Sequence, residues 1–330
     1  MFKNDLINKS NLVRLINNFS KQSVLVIGDL MIDKYLWCDI NRISPEAPVP
    51  VALVKSESYV LGGAANVANN LVALGATVNL VGLIGNDEPG RLLTKELQTI
   101  NVSRDGLLVD LTRPTIIKQR VMCGAHQSIR IDYEDVKEIN QVEEKKILNY
   151  VTNLLDKVKI IIFSDYAKGL ISEKLAQSII ALAIQKNIKV LADPTPNTFK
   201  KFSNSYLIKP NKKEAEAIAN EKFNKDYSNL SIIGEKIRSQ LNSNLVITLG
   251  KDGVAVFNES KLSLLPTFAR EVYDVSGAGD TTIAALALSL ASGASLEDAT
   301  AIGNYCAGVV VSKIGTASCS LEELLRVMQN

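Results

Sequence analysis

The chain has 330 residues, 46% of them apolar, 22% charged and 5% aromatic, a balance that builds a substantial globular core and excludes a disordered or low-complexity chain. Lys plus Arg number 37 against 35 for Asp plus Glu, a net charge of +2, so no global field favours nucleic acid or an anionic membrane, and any basic site must be local. Cys38, Cys123, Cys306 and Cys319 are scattered and His126 is the only histidine, which matches neither a zinc site nor a disulfide framework and predicts reduced, buried thiols.

The opening stretch Met1–Gln22 is polar, mixed in charge and helix-like, without the apolar stretch of a signal peptide. Val24–Asp29 is then a continuous apolar run ending in Gly-Asp, the pattern of a parallel strand buried on both faces. Similar runs follow at Val78–Ile84, Ile160–Phe163, Ile188–Ala192 and Leu245–Leu249. Helix-like segments lie between them at Ala64–Leu74, Glu88–Thr99, Glu143–Leu155, Glu173–Gln185 and Ser231–Leu241. Alternating strands and helices predict a doubly wound α/β sheet. Two stretches, 37–61 and 107–133, break the rhythm and predict a small inserted β lid on one large domain spanning 1–330. Within the second, a period of two puts Lys118 and Arg120 on one strand face, and Arg130 opposite Ile129 and Ile131. A turn at Gly124 would bring the three cations together across paired strands, although a solvated hairpin face has the same pattern. The longest small apolar run, Ile283–Ala291, falls well short of the roughly 20 residues that cross a bilayer. A cytoplasmic protein is expected, with no nucleic-acid or membrane partner.

Candidate chemistry concentrates in Val272–Asp280, which runs into the apolar segment Thr281–Ala291. Gly277 and Gly279 feed a buried helix, whose free amides and dipole make a site for negative charge. Asp280 there reads either as a helix cap or as a base facing a substrate hydroxyl. Neither a P-loop nor a Gly-x-Gly-x-x-Gly turn after a strand is present. Gly62, Gly63 and Asn66 open a helix in a manner that suits either a sugar's hydroxyls or a tight turn. Asp29 and Asp33 lie beyond a strand's carboxyl end, where open α/β sheets bind ligands and where turn residues are also common.

Taken in order, Gly-Asp29 with Asp33, Gly62-Gly-Ala-Ala-Asn66, Asn211-Lys-Lys-Glu214 and Asp274-Val-Ser-Gly-Ala-Gly-Asp280 resemble the ribokinase-like, phosphofructokinase B type carbohydrate kinases over roughly residues 22–318. Arg42–Pro50, Ser164–Gly169 and Gly308–Thr316 are similar to the heptose 7-phosphate kinase branch that supplies ADP-heptose for lipopolysaccharide. The resemblance implies a ribokinase-like fold, ATP and Mg²⁺ as cofactors, and transfer of phosphate to the anomeric oxygen of D-glycero-β-D-manno-heptose 7-phosphate. It makes Asp280 the base and Gly277, Ala278 and Gly279 the anion hole. Asp29, Asp33, Gly62, Gly63 and Asn66 would hold the sugar, and Lys118, Arg120 and Arg130 its 7-phosphate. Thr248, Gly250, Gly253 and Asn304 would line the nucleotide site. Asn211 and Glu214 would contact the nucleotide and, through water, the metal.

The chain departs from the branch at Asp193-Pro194-Thr195, where Asp-Pro-Lys is usual, and Lys168, Lys200 or Lys209 would have to compensate. A fused nucleotidyltransferase is not expected, because the only histidine is His126, and adenylylation is left to another protein. Exposed lid edges predict a homodimer joined through the lids. The competing readings are a sister kinase for fructose phosphate, ribose or a nucleoside, and a non-catalytic sugar-binding protein of the same fold.

Overall fold

The computed structural model describes residues 8–124, 126–258, 261–269 and 271–329; positions 1–7 of the polar opening stretch lie outside them. The apolar run near residue 24 forms strand β1 (Ser23–Gly28), covered on both faces. Val24 and Val26 pack toward α2 (Ala64–Ala73), α8 (Ala278–Ala291) and α9 (Leu296–Val310). Leu25 and Ile27 pack toward α4 (Gln141–Leu154), α5 (Glu173–Gln185) and α7 (Leu230–Leu241). Apolar residues at successive positions therefore serve two separate cores, which is why the run does not alternate with polar residues.

Among the described residues the large sheet has the order β13 (Lys261–Leu265), β12 (Val254–Asn258), β11 (Asn244–Thr248), β10 (Leu207–Ile208), β9 (Lys189–Asp193), β8 (Ile160–Ser164), β1, β4 (Thr77–Gly85), β5 (Leu107–Asp110). All pairings are parallel except those of β12, which runs antiparallel to β11 and β13. The strand order reverses beside β1, between β8 and β4, and a ligand crevice is expected beyond the strand ends at such a point.

A second sheet, ordered β3 (Pro50–Gly63), β2 (Leu30–Ile43), β6 (Ile116–Cys123), β7 (His126–Tyr133), forms the lid. It is more extensive than the sequence suggests at one end and less so at the other. β2 starts at Leu30, one residue past β1, and its first residues are buried, which hides the lid's alternation. Leu107–Asp110 pairs in parallel with Gly82–Gly85 and so belongs to the large sheet.

Helix starts follow local caps. Asp87 caps α3 (Glu88–Thr99) and Ser172 caps α5. A reciprocal Asn140–Glu143 capping box starts α4 two residues before Glu143. Helix α8 is enclosed from Asp280 to Leu290, so Leu286→Ala there would cost about 2–5 kcal/mol. No helix among the described residues is long and apolar enough to cross a membrane. The four cysteines are free thiols, with Cys38, Cys306 and Cys319 buried.

Candidate active site

The crevice is floored by the start of α8. Gly277 caps this helix in the left-handed conformation, φ +78°, which a side chain would strain. A Cβ there would also lie 3.0 Å from Asn66 Nδ2. The turn thus presents the amide of Gly279 at a positive helix end, while the Ala278 amide, expected to share the anion hole, donates to the Val275 carbonyl at 3.3 Å.

Asp280 lies in the first turn of α8, where the helix becomes buried. Its Oδ2 accepts from Asn66 Nδ2 at 2.8 Å and its Oδ1 from the Tyr166 hydroxyl at 2.8 Å. Burial pushes its pKa up to about 6, against the pull of the Asn66 and Tyr166 hydrogen bonds; nearby Asp193 raises it further and Lys209 lowers it. Asn66 is fixed in turn. Asn70 Nδ2 donates to Asn66 Oδ1 at 3.2 Å, and Thr281 Oγ1 donates to Asn70 Oδ1 at 2.8 Å. This buried chain locks α2 to α8 and sets the carboxylate's orientation. Asn66, expected as a sugar ligand, commits one of its two amide N–H donors to Asp280.

Asp29 also has a different occupation from the one expected. Its carboxylate accepts from the backbone N–H groups of Tyr166, Lys168 and Leu170 at 2.9, 3.0 and 3.4 Å. It anchors the loop that delivers Tyr166 to Asp280. Burial, reinforced by Asp165, raises its pKa to about 6 against those three amides. The same loop sends Lys168 Nζ to Glu134 Oε1 at 2.6 Å.

Asp33, four residues on, faces the crevice mouth. It is ion-paired to Arg120, and Thr316 Oγ1 donates to it at 3.4 Å. Gly62 is crossed closely by this side chain, since a Cβ there would lie 2.9 Å from Asp33 Oδ2. Gly63, at φ +57°, leads the chain into α2, where a Cβ would strike the Asp29 carbonyl at 2.4 Å.

The lid does bring its cations together. Asp33 and Tyr35 on β2 are in register with Lys118 and Arg120 on β6, which face Asp132 and Arg130 on β7. Residues in register share a face, so all six lie on one face of the lid, where Asp33 and Tyr35 contact Thr316. The Tyr35 hydroxyl is 3.2 Å from Thr316 Oγ1, and a Cβ on Gly277 would be 3.2 Å from Thr316 Cγ2. The basic lid face and the glycine turn thus meet at Thr316. Each cation holds a carboxylate: Lys118 pairs with Asp132 at 3.3 Å and Glu134 at 3.8 Å, and Arg130 with Asp132 at 2.8 Å.

Beyond the turn, Asn211 and Glu214 form a capping box on α6 (Lys212–Ala219): Asn211 N donates to Glu214 Oε2 at 2.7 Å, and Glu214 N to Asn211 Oδ1 at 3.0 Å. Thr248 bridges to Asn211 across the strand ends. Gly250 and Gly253, both at positive φ, make the turn into β12. Gly253 abuts the Leu265 carbonyl, and Asn304 Nδ2 donates to the carbonyl of Pro266 at 2.6 Å, beside stacked Phe268 and Tyr305. These residues form a contiguous strip leading away from Asp280. No three His, Cys, Asp or Glu side chains among the described residues converge to hold a metal directly. The donor set suits a hydrated Mg²⁺, which keeps several waters and is carried largely by substrate phosphates.

A family model described as pfkB family carbohydrate kinase matches residues 21–324. The bifunctional protein HldE of Aliarcobacter butzleri is 44% identical over 305 residues, covering 92% of this chain and 64% of that protein. HldE of Sulfurimonas denitrificans is 42% identical over 314 residues, covering 94% and 65%. The chain therefore spans a little under two thirds of these relatives. Escherichia coli phosphofructokinase-2 in complex with potassium superposes with a TM-score of 0.78 at 20% identity, over 93% of this chain and 98% of that one. Arabidopsis thaliana ribokinase complexed with ribose and ATP superposes at 0.73 and 19%, over 94% and 99%. At such identities these two establish the fold, a ribokinase-like α/β sheet with a small lid.

Proposed function

Because the chain belongs to the pfkB family of carbohydrate kinases, we propose that it transfers the γ-phosphoryl group of ATP to the anomeric O1 of D-glycero-β-D-manno-heptose 7-phosphate. The product is the 1,7-bisphosphate, a precursor for ADP-heptose and lipopolysaccharide core synthesis. The observation that carries this reading is the carboxylate of Asp280, buried beneath a helix-end amide turn that meets the lid's basic face at Thr316.

In the reaction, Asp280 takes the proton from O1 as the O1–P bond forms and the bond from phosphorus to the β,γ-bridging oxygen breaks, releasing ADP. A pKa of about 6 suits a base that is ionised at neutral pH yet able to accept a proton. Asn66 and Tyr166 orient it. The Gly279 amide meets charge on the transferring group without reorganising, the arrangement that stabilises a transition state most, and the Ala278 amide joins it by exchanging its bond to the Val275 carbonyl. Asp33 and the Gly62–Gly63 turn border the sugar, and Lys118, Arg120 and Arg130 exchange their carboxylate partners for the 7-phosphate. The strip Thr248, Gly250, Gly253 and Asn304 takes the nucleotide. Asn211 and Glu214 would hold Mg²⁺ through water, and the ion, when bound, supplies neutralisation of phosphate charge.

Ile129, Ile131 and Tyr133 are exposed on the lid face opposite Arg130 and Asp132, and we place a homodimer contact there. ATP and a sugar phosphate as substrates support a cytoplasmic enzyme. The test is turnover by the purified chain across heptose 7-phosphate, fructose 6-phosphate, ribose and a nucleoside. Highest kcat/KM on heptose 7-phosphate supports the reading. Preference for an unphosphorylated acceptor, or no ATP turnover with any of them, overturns it.

A further inference from the structure

Arg113 lies between the end of β5 and the start of β6 and is 9% exposed. Its guanidinium joins three segments of chain. Nε donates to Asp110 Oδ2 at 2.7 Å, and Nη1 donates to the carbonyl of Lys137 at 2.7 Å and to that of Lys168 at 3.3 Å. Lys137 lies between β7 and α4, where the chain leaves the lid, and Lys168 lies on the loop after β8 that carries Tyr166 to Asp280. These two stretches are pressed together: a Cβ on Gly169 would strike the Lys137 carbonyl, and Ile139 N donates to the Gly169 carbonyl at 3.0 Å.

Packing alone gives no reason for this residue. A buried ion pair contributes little that apolar side chains of similar volume would not, and Nη2 is buried without a hydrogen-bond partner among the described residues, which costs more. Burial opposes ionisation of Asp110, but Thr112 and then Arg113 outweigh it and hold its pKa down to about 2, so the pair stays charged at neutral pH. What the guanidinium secures is the Lys168 backbone. Asp29 accepts from the Lys168 N–H at 3.0 Å while Arg113 donates to the Lys168 carbonyl, so both backbone groups of this residue are held. Between Tyr166 and Lys168, Ala167 sits at φ +58°, a left-handed conformation that a side chain disfavours and that persists only where its surroundings impose it.

We propose that Arg113 is a positioning residue for the transfer reaction: it holds the turn at Ala167 against the chain leaving the lid and so keeps the Tyr166 hydroxyl on Asp280. This rests on the kinase reading above. Arg113 itself gains and loses no proton; its effect reaches the reaction through the hydrogen bond that favours the ionised base. Asp193 and Lys209 also face Asp280, and Asp29, whose own pKa is about 6, anchors the same loop, so the test has to separate Tyr166 from all three.

Removing Arg113 alone would strand the buried Asp110 charge, so the variant is Asp110→Asn/Arg113→Met in the full chain. Arg113→Lys is a second, which keeps a cation for Asp110 but not the fork that spans both carbonyls. Each is measured in the wild-type and in the Tyr166→Phe background. In the wild-type background the acidic limb of kcat/KM should move up by about 0.5–1 pH unit, the worth of one hydrogen bond to the base. At neutral pH kcat should fall about tenfold or more, as when a catalytic group is displaced, with sugar KM changed less than about threefold. In the Tyr166→Phe background the same substitutions should move the limb by less than about 0.2 pH unit, because the bond they act through is already gone. An unmoved limb in the wild-type background, whatever the melting temperature, or an equal shift in both backgrounds, overturns the proposal. The wild-type substrate panel decides the kinase reading separately. If another sugar is preferred, the same comparison made with that sugar still decides Arg113, and if none is turned over both claims fall.

Discussion

Asp280→Asn should abolish catalysis and stabilise the protein, and the stabilisation should depend on pH in a defined direction. Asp280 is 7% exposed and its pKa rises from 3.8 to about 6 on folding. By linkage this corresponds to a penalty of about 3 kcal/mol on the ionised folded form. Below about pH 4 the carboxyl is protonated in both states and the penalty is absent. Between pH 4 and 6 the folded state holds a proton that the unfolded state has lost, so native stability declines as pH rises. Above pH 6 both states are ionised and the full penalty applies. Asparagine carries no such charge and can keep a hydrogen bond to Asn66 or Tyr166. Urea unfolding of both proteins from pH 3.5 to 8 should give a difference near zero at the acid end that grows to about 1–3 kcal/mol in favour of the variant by pH 7. In the same preparations kcat should fall at least about a hundredfold. A stability difference that is flat with pH, or a variant less stable than wild type at pH 8, would refute the electrostatic account; near-normal turnover would remove Asp280 from the chemistry.

Tyr166→Phe deletes a hydrogen bond that favours the ionised base, so the acidic limb of kcat/KM should move to higher pH with sugar KM little changed, as read from a pH–rate profile. Lys118→Ala should raise KM for a phosphorylated sugar about tenfold or more, the cost of one charge-assisted contact, and leave an unphosphorylated sugar unaffected. Gly277→Ala puts a side chain at φ +78° and 3.0 Å from Asn66 Nδ2. It should cost about 1–2 kcal/mol in thermal unfolding and lower kcat by displacing the residue that orients Asp280. Wild type should sediment as a dimer at micromolar concentration, and Ile129→Lys should shift it toward monomer.

What could be read from the sequence was what is encoded locally. Helix α3 begins where Asp87 accepts from Gly90 N, and α5 where Ser172 accepts from Leu175 N. The apolar continuity of Val24–Ile27 and Ile160–Phe163 reported strands covered on both faces, and the unbroken small apolar character of α8 reported its enclosure. The glycine turn and Asp280 were visible because cap, dipole and carboxylate are adjacent in the chain.

The remainder depended on partners far away. Tyr166 meets Asp280 across 114 residues and Asn66 meets it across 214, and no local spacing announces such contacts. Asp29 looked like a ligand residue at a strand end, but the loop after β8 folds three amides onto it. Asn211 and Glu214 resemble nucleotide and metal contacts, but their i, i+3 spacing at a helix start also makes a capping box, which occupies one of Glu214's two oxygens. The basic lid face was legible from its period of two. Its neutralisation by Asp132 and Glu134 was not, because register across the hairpin decides which charges meet. Leu107–Asp110 falls in a stretch that breaks the strand–helix rhythm and so reads as lid, and only its pairing with β4 places it in the large sheet.

The most direct measurement is a crystal structure of the chain with heptose 7-phosphate and a non-hydrolysable ATP analogue. The account predicts the sugar's anomeric oxygen within about 2.6–3.2 Å of an Asp280 carboxylate oxygen, the terminal phosphate against the Gly277–Gly279 turn, and the 7-phosphate on Lys118 and Arg120. An anomeric oxygen far from Asp280, with the nucleotide's terminal phosphate away from that turn, would contradict it.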